Sequence, residues 1–298
     1  YTVTGGGNYC AGGTGAAVGL SGSAAGVNYQ LMRGTTAVGS AVAGTGAALS
    51  FGMQTTSGTY TVVATNPTTG CSNTMTGSAI VNTNPLPASF TITGGGNYCD
   101  GSITGVHIGL SGSSVGINYQ LFNGMGAVGL PVSGTGSAID LGIHLTPDIY
   151  TVIATNPMTG CYNTMTGTAT VGVNLLPAVY ATGGSSSYCF GTGGVSLNLS
   201  GSDLGINYQL LYGGMPSGPA VAGDGMPITF SPRTSAGSYT VRAINTITGC
   251  AADMTGTETI SISPLPPVYA VTGGGIYCSG APGMPVDLGN SDLGVTYQ

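Results

Sequence analysis

Gly58-Thr59-Tyr60-Thr61-Val62-Val63-Ala64 decides the fold class. Successive side chains of an extended chain point to opposite faces. Tyr60, Val62 and Ala64 therefore share one face, the pattern of a strand with one side in a core. The stretch recurs as Asp148-Ile149-Tyr150-Thr151-Val152-Ile153-Ala154 and as Gly237-Ser238-Tyr239-Thr240-Val241-Arg242-Ala243. Each copy runs into a turn that ends in Gly-Cys; the first is Asn66-Pro67-Thr68-Thr69-Gly70, followed by Cys71. Asn, Pro and Gly in that order are turn chemistry, so the strand ends where the turn begins.

Working outward, Val18 and Leu20 alternate with small residues, and Val27-Asn28-Tyr29-Gln30-Leu31 alternates apolar with polar. Both read as strands. Val38 and Val42 mark a weaker one before Gly44-Thr45-Gly46, Leu49 and Phe51 a short one, and a last strand follows Cys71 through about Val81. No segment carries a capped apolar period of 3.6. The sequence predicts an all-β module of about seven short strands with regular turns, the pattern of an immunoglobulin-like β-sandwich.

The module is written three times and begun a fourth. Tyr1…Cys10, Phe90…Cys99, Tyr180…Cys189 and Tyr269…Cys278 each place a cysteine nine residues after an aromatic, so the copies start 89, 90 and 89 residues apart. A period of that length suits independent small domains rather than solenoid units. The expected domains are residues 1–87, 88–177 and 178–267, with a truncated fourth at 268–298 that is too short to bury a core alone. The truncation predicts that the chain is a piece of a longer protein. Asn84-Pro85-Leu86-Pro87, Leu175-Leu176-Pro177 and Ser263-Pro264-Leu265-Pro266-Pro267 join the copies. Proline fixes φ, so these linkers read as short, stiff joints.

Twelve residues of 298 are charged; the basic ones are Arg33, Arg233 and Arg242, and there is no lysine. A net charge of −6 without a basic patch excludes nucleic acid and anionic membrane surfaces as partners. Lacking lysine, the chain has no Schiff-base, P-loop or Lys–Asn cross-link chemistry. No signal-peptide pattern and no apolar run long enough to span a bilayer occurs. Low charge in a glycine-rich chain can mean disorder, but regularly placed Val, Ile, Leu and Tyr supply a core here.

Seven cysteines form two series, Cys10, Cys99, Cys189 and Cys278, and Cys71, Cys161 and Cys250. The favoured scheme staples each copy internally: Cys10 with Cys71, Cys99 with Cys161, and Cys189 with Cys250. A loop of about 60 residues contributes about 4 kcal/mol in the chain-entropy model. The rival scheme joins neighbours, Cys71 with Cys99, Cys161 with Cys189, and Cys250 with Cys278. Either places the protein in an oxidising, extracellular compartment. Metal binding is not expected, because no C-x-x-C spacing occurs and neither His107 nor His144 recurs. No cofactor is expected either.

Catalysis finds no support in the pattern. The two histidines read as solvent-facing strand residues. Asp203 and Asp292, matching positions in Ser-Asp-Leu-Gly, read as turn residues. The linkers between complete copies carry no carboxylates for calcium. The Thr-Gly-Gly-Gly runs at 4–7, 93–96 and 272–275 read as bulges or tight turns rather than nucleotide loops. Tyr60, Tyr150 and Tyr239 fit a tyrosine corner, in which the hydroxyl anchors a nearby loop. Tyr29, Tyr119 and Tyr208 read as core fillers in a chain without tryptophan; a sugar-stacking platform is the functional alternative.

Cys10 and Gly12, Gly58 through Ala64, and Gly70-Cys71 together resemble the SprB-type repeat of giant surface adhesins in gliding Bacteroidota. The second copy matches with Cys99, Gly101, Asp148 through Ala154 and Gly160-Cys161; the third with Cys189, Gly191, Gly237 through Ala243 and Gly249-Cys250. These copies are longer than the usual family repeat around residues 33–46. The resemblance implies an extracellular stalk or adhesin filament exported by the type IX route. The expected function is thus a non-catalytic structural and adhesive repeat region at the bacterial cell surface. Its expected partners are neighbouring repeats, identical chains in a fibre, and a surface glycan or cell-surface ligand. The alternative is an array of glycan-binding modules on a secreted protein.

Overall fold

A computed structural model describes residues 1–298, all β and without helices. The first copy comprises β1 (Val3–Gly5), β2 (Gly7–Cys10), β3 (Ala16–Leu20), β4 (Asn28–Arg33), β5 (Thr36–Ala43), β6 (Leu49–Gln54), β7 (Gly58–Thr65), β8 (Ser72–Thr74) and β9 (Ala79–Asn84). One sheet runs β1-β3-β6. The other runs β2-β9-β7-β4-β5, with β8 also on β7. Two sheets with this order, the first strand shared between them, make an immunoglobulin-like sandwich.

The alternation that predicted β7 is the one that packs: Tyr60, Val62 and Ala64 are buried, as are Tyr29 and Leu31 on β4 and Val18 and Leu20 on β3. Three separate cores form, each drawn from a single copy. Burying one such aliphatic side chain contributes about 1.5–3 kcal/mol. In residues 268–298 no side chain is buried. The chain divides into two compact units, Tyr1–Tyr98 with Ser102–Val173, and Cys99–Gly101 with Asn174–Gln298.

Two strands have no counterpart in the sequence expectation, and together they fix where Cys10 lies. β1 pairs antiparallel with β3, whereas β2 pairs parallel with β9, Gly7 opposite Val81 and Cys10 opposite Asn84. The chain crosses between sheets at Gly5-Gly6. A Cβ on Gly5 (φ +89°) would lie 2.1 Å from the Ala17 carbonyl oxygen, and one on Gly6 (φ +85°) 2.6 Å from that of Ile80. The Thr-Gly-Gly-Gly run is therefore a sheet-switching crossover, and the backbone that Gly5 and Gly6 adopt in the first copy suits glycine; in the third copy Ser185 stands in the place of Gly6. The last strand is also split. Between β8 and β9, Thr76 donates to the Tyr1 carbonyl and accepts from Val3, so the chain start is laced into the gap.

Parallel pairing fixes the poles of the domain. Cys10 sits beside Asn84 at the trailing pole, where the chain leaves the copy. β7 runs the other way, from Gly58 opposite Val81 to Thr65 opposite Ser72, so the turn at 66–70 and Cys71 lie at the leading pole.

Candidate functional site: the disulfide-crossed joint

This polarity overturns both expected cysteine schemes. Cys10 is bonded to Cys161, with a Cα–Cα distance of 5.5 Å, and Cys99 to Cys250, also at 5.5 Å. Cys71, Cys189 and Cys278 are free and exposed. The predicted links Cys10–Cys71, Cys99–Cys161 and Cys189–Cys250 fail for a geometric reason. From Ser72, opposite Thr65, to Val81, opposite Gly58, the poles are seven residues of β7 apart, and Asn84 lies three further on, a separation of roughly 33 Å at about 3.3 Å per residue, far beyond the ~7 Å that a disulfide spans. The rival links Cys71–Cys99, Cys161–Cys189 and Cys250–Cys278 would join a leading pole to the trailing pole of the next copy. What meets is the trailing pole of one copy and the leading pole of its successor.

Within the first unit the joint is built from backbone and side chains that the repeat supplies. Cys10 ends β2, and the next residue, Ala11, donates to the Asn84 carbonyl at 2.9 Å, which closes the strand end. Cys161 comes directly after the turn at 156–160. There Asn156 donates from its backbone to the Cys161 carbonyl (2.8 Å) and accepts on its side chain from Met158 (2.9 Å). The Cys161 N–H donates to the Thr159 hydroxyl at 3.3 Å. Asn163 donates from its amide to the carbonyl of Pro87, 2.9 Å away, tying the second copy to the linker. Pro87 is buried, whereas its counterpart Pro266, ahead of the incomplete copy, is exposed. Cys10, Ala11, Gly12, Gly13, Leu86 and Tyr162 line a shallow groove over the bond.

In the second unit, Asp100 donates to the Asn174 carbonyl (2.9 Å), the counterpart of the Ala11–Asn84 bond, and Cys250 is fully buried beside its disulfide. Phe190 likewise donates to Ser263 at 3.0 Å, behind the unpaired Cys189.

The tyrosines hold the trailing pole. Tyr60, Tyr150 and Tyr239 are buried and donate to the carbonyls of Thr56 (2.7 Å), Thr146 (2.8 Å) and Ser235 (2.9 Å), four residues upstream. The tyrosine preceding each first-series cysteine acts beside them: Tyr9, Tyr98 and Tyr188 donate to Thr55, Leu145 and Thr234. Two tyrosines thus pin adjacent carbonyls of one loop, and the second is the residue that delivers the cysteine. Its recurrence at a fixed place before Cys10, Cys99 and Cys189 was the available signal. Tyr29, Tyr119 and Tyr208 are buried, and their hydroxyls accept from the N–H of Ala24, Ser114 and Asp203.

Elsewhere the polar groups serve local structure. Gln30 fills the register shift between β4 and β5, its amide donating to Leu31 and Val38 at 2.9 and 3.1 Å. His107 and Asp140 form an exposed pair at 2.9 Å in one copy; the Gly142 N–H and then His107 hold the Asp140 carboxyl below its usual range. His144 lies against Tyr150, ring centroids 5.2 Å apart. Asp203 accepts from Tyr180 (2.7 Å) and Asp292 from Tyr269 (2.7 Å), which pushes both tyrosine hydroxyls up. No group of three His, Cys, Asp or Glu side chains gathers anywhere as a metal site would require. No helix is long and apolar enough to cross a membrane.

The chain matches no protein-family model and no curated protein. Solved structures with low overall superposition include the three N-terminal domains of the bacteriophage RB49 highly immunogenic outer capsid protein. That match has 13% identity and a TM-score of 0.30, over 89% of this chain and 99% of that one. The mouse nectin-like molecule 4 ectodomain, Ig1–Ig3, matches at 12% identity and TM-score 0.35, over 88% and 98%. The ICAM-5 D1–D4 ectodomain fragment matches at 12% and 0.33, over 91% and 79%.

Proposed function

We propose that this chain is a non-catalytic, tension-carrying repeat segment of an extracellular protein, a stalk that holds adhesive parts away from a bacterial surface. The observation that carries this reading is the placement of the bonds. Cys10–Cys161 and Cys99–Cys250 each leave the end of one copy and enter the turn of the next. An internal staple would protect one domain; a bond across a joint gives a tensile load a covalent path around the linker and around much of the domain fold. Disulfides also fit an oxidising compartment.

Membership among SprB-type surface adhesins is part of the proposal, supported by Cys10, Gly12, the Gly58–Ala64 strand and Gly70-Cys71, with their counterparts in each complete copy. The glycan-array reading is less well supported, because the recurring Tyr29 and Tyr60 positions are buried.

Single-molecule pulling from the two ends tests the reading. With both bonds intact the overlapping loops 10–161 and 99–250 withhold most of the chain from extension. Reduction should then more than double the fully extended length, each released residue adding about 3.3–3.6 Å. An extension unchanged by reductant would contradict a covalent load path.

A further inference from the structure

Three places in the chain put glycine directly after aspartate or asparagine: Asp100-Gly101, Asn123-Gly124 and Asp224-Gly225. Glycine has no Cβ, so its backbone nitrogen is free to approach the side chain before it. When that nitrogen meets the side-chain carbonyl carbon, a five-membered succinimide ring closes. By residue type alone Asn123 is the most reactive of the three, because an ionised carboxylate must take up a proton before it leaves as water.

The structure reverses that order. The Asn123 side-chain oxygen accepts from the Met125 N–H at 3.0 Å, and the Gly124 nitrogen, which would have to attack, donates to the Asp148 carboxylate at 3.1 Å. Asp224 is also turned past its glycine, accepting from the Met226 N–H at 2.9 Å and the Ser202 hydroxyl at 3.4 Å. Asp100 differs from both. Its own carboxyl faces the next nitrogen, the Gly101 N–H donating to Oδ1 at 2.9 Å. Both residues are exposed to water, and Gly101, at φ +72°, has open space where a Cβ would stand. The Asp100 N–H is meanwhile held by the Asn174 carbonyl at 2.9 Å, which anchors the residue at its strand end.

We propose that Asp100 is a self-modification site, where the folded chain rearranges to isoaspartate directly beside the Cys99–Cys250 bond. The Gly101 nitrogen bonds to Cγ of the protonated Asp100 carboxyl; the nitrogen's proton and the carboxyl hydroxyl leave as one water, and the succinimide closes. One water then adds at the Asp100 backbone carbonyl carbon and breaks its bond to that nitrogen. The main chain now runs through Cγ, and the α-carboxylate is free. One water is lost and one regained, so no oxidant or cofactor enters. Holding nucleophile and carbonyl together in one turn favours the ring closure. The change lies after the Asp100 Cα, so Cys99 and the Asp100–Asn174 hydrogen bond stand upstream of it. The inference does not depend on the joint carrying load.

Asp100→Asn in the whole chain tests the geometry, because it gives two Asn-Gly pairs that differ only in setting. After ageing at neutral pH the chain is reduced and cleaved after aromatic residues; Tyr98 and Tyr119 bracket position 100, and Phe122 and Tyr150 bracket Asn123. Deamidation is read as the mass gained when an amide becomes an acid. In the folded chain position 100 should convert several-fold faster than Asn123, and denaturant should erase the difference. Equal conversion in the folded chain, or a faster Asn123, would overturn the proposal. In the unaltered chain the aged Asp100 peptide should split into two chromatographic peaks of the same mass, one of them resistant to an endoprotease that cuts before aspartate. The Asp224 peptide should stay single. An Asp100 that rearranges only when the chain is denatured would equally sink the idea.

Discussion

Tyr9 and Tyr60 deliver their hydroxyls to the neighbouring carbonyls of Thr55 and Thr56, and so couple the core of a copy to the pole that holds its bonding cysteine. Tyr60→Phe keeps the ring and leaves a carbonyl without its donor, so the first copy should lose about 1–3 kcal/mol. Thermal unfolding would read this as a lowered Tm, and an unchanged Tm would remove the anchor from the account. Glu258 gives a second test in the third copy. It accepts from the Ser185 hydroxyl (2.6 Å), the Ser185 N–H (2.8 Å) and the Thr182 hydroxyl (2.8 Å). These bonds, the Ser185 hydroxyl first, hold its carboxyl below the usual range. A folded pKa below the unfolded value of about 4.3 stabilises fully above that value and less as pH falls through the folded one. Acid titration should therefore destabilise the third copy, and Glu258→Gln should flatten that part of the profile in a pH series of unfolding curves.

At the scale of elements, the crossover at Gly5-Gly6 does for the strand what the tyrosines do for the loop. It aims β2 along β9 and so carries Cys10 to the trailing pole. Gly5→Ala combines a positive φ with a carbonyl 2.1 Å from the new Cβ, and should cost about 1–3 kcal/mol or more. Loss of amide-exchange protection confined to β1 and β2 would be the signature; protection kept at both would contradict it. β3, β4, β6 and β7 were legible in the sequence because each alternates apolar and polar residues over a buried face. β1 and β2 were not. They are three and four residues long, flanked by glycines, and Val3 is the only buried residue in either. The misplaced cysteine pairing stems from that gap: without the parallel first strand, nothing in the spacing says that Cys10 and Cys71 sit at opposite poles. Gln30 was equally illegible, since its role exists only where β4 and β5 slip register.

For the whole molecule, the bonds belong to the joints and the stability of each copy belongs to its own core. Cys10→Ser should leave the three cores intact by NMR or near-UV circular dichroism. It should still remove about 5 kcal/mol of chain-entropy stabilisation from the first two copies, the figure for a loop of 151 residues. Peptide mapping without reductant tests the central claim most directly. Trypsin is no help, because Cys71 and Cys161 lie together between Arg33 and Arg233. Cleavage after aromatic residues separates them at Phe90, Tyr98, Tyr119 and Tyr150. The account predicts a linked pair of peptides carrying Cys10 and Cys161, and another carrying Cys99 and Cys250. A pair carrying Cys10 and Cys71 would return the bonds to the interior of each copy and contradict it.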